Sequence, residues 1–304
     1  MIEIAVRPGE RALARAIAAL PDNGEPAVLR LASGIYREKV ALRRPHTTLE
    51  GTGAESTTIL WDDGAFEILA DGMKRGTFRT AALLVDAHHV TLRNLSVVNA
   101  AAPREQVGQA IALYADGDYF TCEDCALSSH QDTLFTAPLP PKEIEKNGFI
   151  GPKQFAPRTP QRHTYRRCHI EGDVDFIFGG AAAWFEDCDI VSLAPGYATA
   201  ASTPQGQKFG YVFKGCRFSS AGAPPATCYL GRPWREFAQT VLIGCTIGPH
   251  IRPEGWHDWG KPPFHEYGYY AEYPAPETQR AEYVHLLTKE DAAPYTYENF
   301  ISSL

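Results

Sequence analysis

Along most of the chain apolar residues come in short runs that turn residues close, a pattern of brief strands rather than of helices. Ala27 to Ala32, Gly34 to Glu38 and Thr48 to Gly51 are the first such segments. Residues 10–20, rich in Ala and Leu and stopped by Pro21 and Asn23-Gly24, are the clearest helix signal and predict a short capping helix. From about residue 83 to 247 a pattern recurs, in Leu92-Arg93-Asn94-Leu95, Asp124-Cys125-Ala126-Leu127, Arg167-Cys168-His169-Ile170, Asp187-Cys188-Asp189-Ile190, Gly215-Cys216-Arg217-Phe218 and Gly244-Cys245-Thr246-Ile247. The later members lie roughly 20 to 30 residues apart, a spacing that indicates a solenoid. No helix-length segment separates them, so an all-β parallel β-helix is expected, with the cysteines in stacked interior ladders. At about 4.8 Å per coil, about eight coils give a groove of roughly 40 Å, suited to an extended polymer.

Composition agrees with many strands and turns: 26 Gly, 23 Pro, 14 Tyr and 15 Phe stand against two Met. A formal net charge of -7 argues against nucleic acid as a partner, and an acidic substrate would have to be held by local arginines. No apolar run reaches membrane-spanning length, so no membrane partner is expected. The start, Met1-Ile-Glu-Ile-Ala-Val-Arg, lacks the pattern of a signal peptide. Cytoplasmic action is therefore expected, or secretion if a signal has been removed. Seven cysteines fit a reducing compartment, and the lone Cys122-x-x-Cys125 is not read as a zinc site.

Two stretches stand outside the repeat. Thr136 to His163 holds six prolines and reads as an inserted loop, at about 136–163, that walls the groove. The tail carries Trp256, Trp259, Phe264, Tyr267, Tyr269, Tyr270 and Tyr273, rings that either stack on sugars or cover the open end of a core.

Candidate chemistry centres on Gly172-Asp173-Val174-Asp175-Phe176-Ile177-Phe178-Gly179-Gly180. In a strand, Asp173 and Asp175 share a face, and two close carboxylates need a cation, a proton or an arginine nearby. Neither a Gly-x-Ser-x-Gly elbow nor a His-Glu-x-x-His is present, and no glycine loop could cradle a phosphate. What the chain offers is Gln109 to Leu113, Gln131-Asp132-Thr133-Leu134, the Asp175 stretch and Leu230-Gly231-Arg232-Pro233-Trp234. A β-helix would bring these onto one surface.

With Gly34 to Glu38 and Gly255-Trp256-His257-Asp258-Trp259, and in this order, these segments resemble the signatures of the pectin methylesterase (pectinesterase) family, bacterial type. The resemblance spans nearly the whole chain, 1–304 as one domain, and implies a right-handed parallel β-helix and hydrolysis of galacturonate methyl esters in pectin or methylated oligogalacturonides. It implies Asp175 as nucleophile, Asp132 as general acid and then base, and Gln109 and Gln131 as oxyanion amides. It also implies Arg232 holding Asp175, and Trp234, Phe178, Tyr165 and Trp256 in the sugar site. No cofactor or metal is expected, and a monomer is. Asp173, His130, His163 and His169 receive structural roles. The resemblance departs at Asn99-Ala100-Ala101-Ala102, where a Thr is usual, and in the long 136–163 loop, which is similar to bacterial members. The alternatives are a β-helix lyase or glycoside hydrolase on polygalacturonate, or a carbohydrate-binding solenoid without catalysis.

Overall fold

A computed structural model describes residues 1–261 and 263–303. Every ladder between its named strands is parallel, and two strand sets climb the molecule together. One sheet holds eleven strands from Ile2–Val6 to Val284–Leu286 in chain order, so the solenoid is taller than the eight coils expected. The second holds thirteen strands, and it is bent. Its long members His169–Gly179 and Asp189–Ala201 turn a corner in mid-strand, pairing with one set of short strands before the bend and another after it. The result is a three-faced, right-handed parallel β-helix, the hand that parallel crossovers adopt.

The repeated sequence element is a one-residue corner. Asn94, Asp124, Arg167, Asp187, Gly215 and Gly244 all have positive φ, from 50° to 64°, and each joins a strand of the first sheet to one of the second. Asn, Asp and Gly bear this left-handed conformation at least cost, hence their recurrence. Asn94→Ala should therefore lose about 1 kcal/mol of stability while Asn94→Gly stays near neutral, as read from urea unfolding midpoints.

The residue after each corner turns inward. Cys125, Cys168, Cys188 and Cys216 are all buried and unoxidised, and the Cys168 and Cys188 amides each donate to the next coil's sulfur at 3.4 Å. Beside them Tyr165, Phe185 and Phe213 stack at 4.6 and 4.4 Å. Such side-by-side burial of like residues is how a solenoid fills its core.

The predicted helix forms over Ala12–Ala18, shorter than residues 10–20, and buries Leu13 against the end of the core. Its first turn is held by Glu38, whose carboxylate accepts from the Leu13 and Ala14 amides at 2.8 and 2.9 Å. Tyr36 in turn donates its hydroxyl to Val6 O at 2.8 Å. The Gly34-to-Glu38 segment thus fastens the cap. At the other end Trp256, Phe264 and Tyr270 close the core.

Candidate active site

The site forms where the second sheet bends. The ladder between His169–Gly179 and Asp189–Ala201 slips register between Gly172 and Val174 and again before Ile177, and Asp175 sits in that irregularity at φ 52°. One coil earlier Asp132 has φ 68°, and its amide donates to Val174 O at 3.1 Å. Both carboxylates thus project from left-handed backbone, Asp132 in a turn before Leu134–Thr136 and Asp175 at the bulge, conformations that re-aim side chains. The bulge also overturns the expectation that Asp173 and Asp175 share a face. Asp173 turns to Arg104 (3.3 Å) and His130 (3.6 Å), and Asp175 turns to Arg232, because the left-handed residue breaks the two-residue alternation.

Arg232 grips Asp175 with both prongs, Nε to Oδ1 at 2.8 Å and Nη2 to Oδ2 at 2.6 Å. Its guanidinium lies between two rings, 4.0 Å from Tyr197 and 3.6 Å from Trp259. The planar cation is therefore held in place before any ligand arrives. Gly231 permits this close approach, since a Cβ there would lie 2.0 Å from Thr199 Oγ1 and 3.2 Å from Trp256.

Asp132, Asp175, Gln109, Gln131, Arg232, Trp234 and Phe178 line one cleft of about 340 Å³, along with Thr77, Phe78, Phe149, Arg235 and Trp259. Gln109 and Gln131 lie on successive coils, tied by Ala110 N to Gln131 O at 3.0 Å. Among the described residues neither side-chain amide has a hydrogen-bond partner, whereas Gln161 and Gln207 elsewhere are engaged. One wall is an aromatic patch outside the solenoid, where Phe78, Phe135, Phe149, Phe178 and Trp234 pack edge to face or tilted.

Two of the expected sugar-site residues lie elsewhere. Tyr165 is fully buried in the interior stack between Phe120 and Phe185, because its place in Arg162–Arg166 points it inward. Trp256 is 1% exposed, stacked on Tyr270 at 4.2 Å with its Nε1 donating to Glu272 at 2.8 Å. It supports Gly231 from behind, and Trp259, three residues on and at φ 58°, is the tryptophan that reaches the cleft. Phe78 and Phe149 carried no sequence signal, since Phe78 stands in a single 3-10 turn, Thr77–Arg79, and Phe149 in a loop, where no strand or helix period applies.

The 136–163 segment, between the strands Leu134–Thr136 and Arg162–Arg166, walls the cleft with Ile144, Glu145, Gly148 and Phe149. Arg158 holds it together, donating to the carbonyls of Pro140, Lys153, Ala156 and Gln154. Arg235 ties it to the Trp234 side through Lys142 O at 3.1 Å.

Electrostatics separate the two carboxyls. Burial, and then the neighbouring Asp175 charge, push the Asp132 carboxyl well above the usual range, and Arg232 opposes this only in part. Burial also lifts Asp175, but there the bidentate Arg232 pulls back directly and Lys261 adds to it. We assign the proton to Asp132, because no donor in the described residues hydrogen-bonds its carboxylate. Lys261 itself, donating to Pro233 O at 2.8 Å, is pushed down to about 8 by burial and then by Arg235 and Arg232.

The Asp132 shift carries a stability cost with a definite sign. A folded-state value above the unfolded one gives stability that is present below the unfolded pKa of about 3.9 and is lost as pH rises through the folded value. Asp132→Asn, which keeps the shape and tolerates positive φ, should therefore raise the unfolding midpoint by several degrees at about pH 8 and by little near about pH 4. Calorimetry at both pH values checks this.

Comparison with known proteins shows the family and the fold. The pectinesterase family model matches residues 8–139 and 158–303, leaving out the middle of the cleft-walling loop. The chain is 32% identical over 299 residues to Probable pectinesterase/pectinesterase inhibitor 23 of Arabidopsis thaliana, covering 92% of this chain but 48% of that protein. It is 31% identical over 304 residues to Pectinesterase QRT1 of the same plant, covering 94% and 72%. The chain thus spans about half the length of the first of these relatives. Among solved structures, the pectin methylesterase from carrot superposes with a TM-score of 0.79 at 26% identity over 99% of this chain and 93% of that one. Pectin methylesterase PemA from Erwinia chrysanthemi shares the fold at a TM-score of 0.79 and 24% identity, covering 100% and 98%. With a family model matched on both sides of the loop and a fold shared from end to end, the chain belongs to the pectinesterase family.

Proposed function

We propose that the chain hydrolyses methyl esters of galacturonate residues, in pectin or in methyl-esterified oligogalacturonides, and releases methanol. The observation that carries this reading is the asymmetry of the carboxyl pair, one aspartate clamped by a bidentate arginine and the other buried without a donor, beside two unpartnered amides. Asp175, kept ionised by Arg232, attacks the C6 carbonyl of the ester. The negative charge that develops on the carbonyl oxygen is met by the amides of Gln109 and Gln131, each worth about 2.7 to 4 kcal/mol by analogy with other oxyanion donors. Asp132 gives its proton to the departing methoxy group, so methanol leaves and an acyl-Asp175 intermediate remains. The Asp132 carboxylate then takes a proton from water, which attacks the acyl carbonyl, restoring Asp175 and leaving free galacturonate.

The same geometry supports an acidic sugar as substrate. Arg235 and Lys261 bring positive charge to the cleft side of an otherwise acidic protein, and among the described residues neither forms a carboxylate ion pair. Trp234, half-buried at the cleft, offers flat apolar surface to a pyranose ring, and the buried Phe178 packs against it at 5.6 Å. The test is to incubate the protein with highly methylated pectin and with methylated oligogalacturonides, following methanol, chain length and unsaturated products. Methanol without chain shortening is expected. Unsaturated or shortened products without methanol would replace this reading by a lyase or a glycoside hydrolase.

A further inference from the structure

Away from the cleft, three histidines meet on the outside of the solenoid. His46 stands in the turn before Thr47–Glu50, and His88 and His89 in the turn before Thr91–Arg93 on the neighbouring strand of the same sheet. All three are exposed, and one ring nitrogen from each falls within 4.8 Å of the other two. None lines the cleft. We propose that these imidazoles form a binding site for one divalent zinc-type transition metal ion, which clips two neighbouring coils together.

The ring arrangement carries the argument. The centroids are 5.2 Å apart for His46 and His88, 4.8 Å for His46 and His89, and 5.1 Å for His88 and His89, a nearly equilateral triangle. Three imidazoles bound tetrahedrally at the ordinary zinc–nitrogen distance of about 2.0–2.1 Å place their centroids about 5 Å apart, so the spacing already fits, and the exposed rings need only rotate to bring nitrogens now within 4.8 Å of one another onto a common point.

Ordinary stacking explains only part of the cluster. His46 and His89 belong to a column that continues to Tyr119, 4.7 Å beyond His89, and to the Arg162 guanidinium, 4.0 Å from Tyr119. His88 stands outside that column, edge-on to His46 and His89 at 85° and 84°. Its Nδ1 lies 2.8 Å from Nδ1 of His89, so without metal one of the two nitrogens must carry the proton of a shared hydrogen bond. Metal binding needs that proton on the other ring nitrogen, a tautomer change open to a solvent-exposed imidazole.

The donor set selects the class of ion. Three neutral imidazoles suit zinc, copper or nickel, whereas magnesium and calcium prefer oxygen donors. The exposed fourth position is left for water. His46 and His88 also border a recess with Asp22, Gly24, Arg44 and Pro45, and the nearby Arg44 side chain is occupied by Pro21 O and Asn23 Oδ1 at 3.0 and 3.3 Å.

The test uses the full chain, free of any affinity tag and stripped with chelator, titrated with zinc chloride by calorimetry while the unfolding midpoint is followed. Expected are one zinc ion per chain, a midpoint raised by a few degrees and no response to magnesium. His88→Ala and His89→Asn should each weaken binding at least about tenfold and abolish the midpoint shift, with methanol release unchanged. His89→Asn retains a residue that tolerates the φ of 55° at that position, so loss of binding there does not report misfolding. The proposal is overturned if the wild-type chain takes up no stoichiometric zinc, or if either variant binds it within tenfold of wild type.

Discussion

Asp175→Asn is expected to lower kcat for methanol release by on the order of 10⁴-fold or more, the scale seen when a nucleophile is removed from other covalent hydrolases. Asn is nearly the same shape and its carbonyl can still accept one of the two Arg232 hydrogen bonds, but its amide cannot form the acyl intermediate. It is also the substitution that the backbone accepts, because φ at this position is 52° and an Ala there would add strain to the chemical loss. The variant should therefore unfold within a few degrees of wild type. A variant that keeps more than a tenth of the wild-type rate would remove Asp175 from the nucleophile's place.

Arg232→Ala should produce the next largest loss, and a different pH signature. It leaves a buried carboxylate, 7% exposed, without its cation, a change that costs about 3–5 kcal/mol in buried pairs unless the carboxyl takes up a proton. With Arg232 gone, burial lifts Asp175 further, opposed only by the Lys261 charge, so at neutral pH more of the nucleophile is protonated and inert. Activity of the variant should consequently rise with pH over a range where the wild type is losing it, as Asp132 gives up its proton. Arg232→Lys restores a charge but neither the two-pronged grip nor the packing between Tyr197 and Trp259, and it should recover only part of the rate. Profiles of kcat/KM against pH for the three proteins test both statements. Coincident profiles would mean that Arg232 does not act through Asp175.

The architecture was legible because a solenoid repeats its stereochemical demands. Asn94, Asp124, Asp187, Gly215 and Gly244 recur since each corner needs a residue that bears positive φ, and the cysteines recur since the position after the corner points into the core. The site residues Gln109, Gln131, Asp132, Asp175, Arg232, Trp234 and Phe178 were legible through their segments and do meet in one cleft. What was not legible is orientation wherever the alternation breaks. Asp173 parts from Asp175 at a bulge whose register shift no local pattern announces. Trp256 and Trp259 exchange roles because the chain between them is irregular and turns at Trp259. Tyr165 lies inside for the opposite reason: it belongs to a regular strand whose buried face the flanking polar residues obscure. The prolines of the 136–163 loop announced a wall but not that Phe149 would be the part of it that meets Phe78 and Trp234.

The division of labour between the two aspartates is tested most directly by burst kinetics on a 4-nitrophenyl ester of galacturonate. Nitrophenolate leaves without a proton donor, so Asp132→Asn should still be acylated and should release one equivalent of nitrophenolate per active site. It should then turn over slowly for want of the base that activates water. Asp175→Asn should give no burst at all. A burst from Asp175→Asn, or its absence from an Asp132→Asn protein that binds the ester, would contradict the assignment of Asp175 as nucleophile and Asp132 as acid and base.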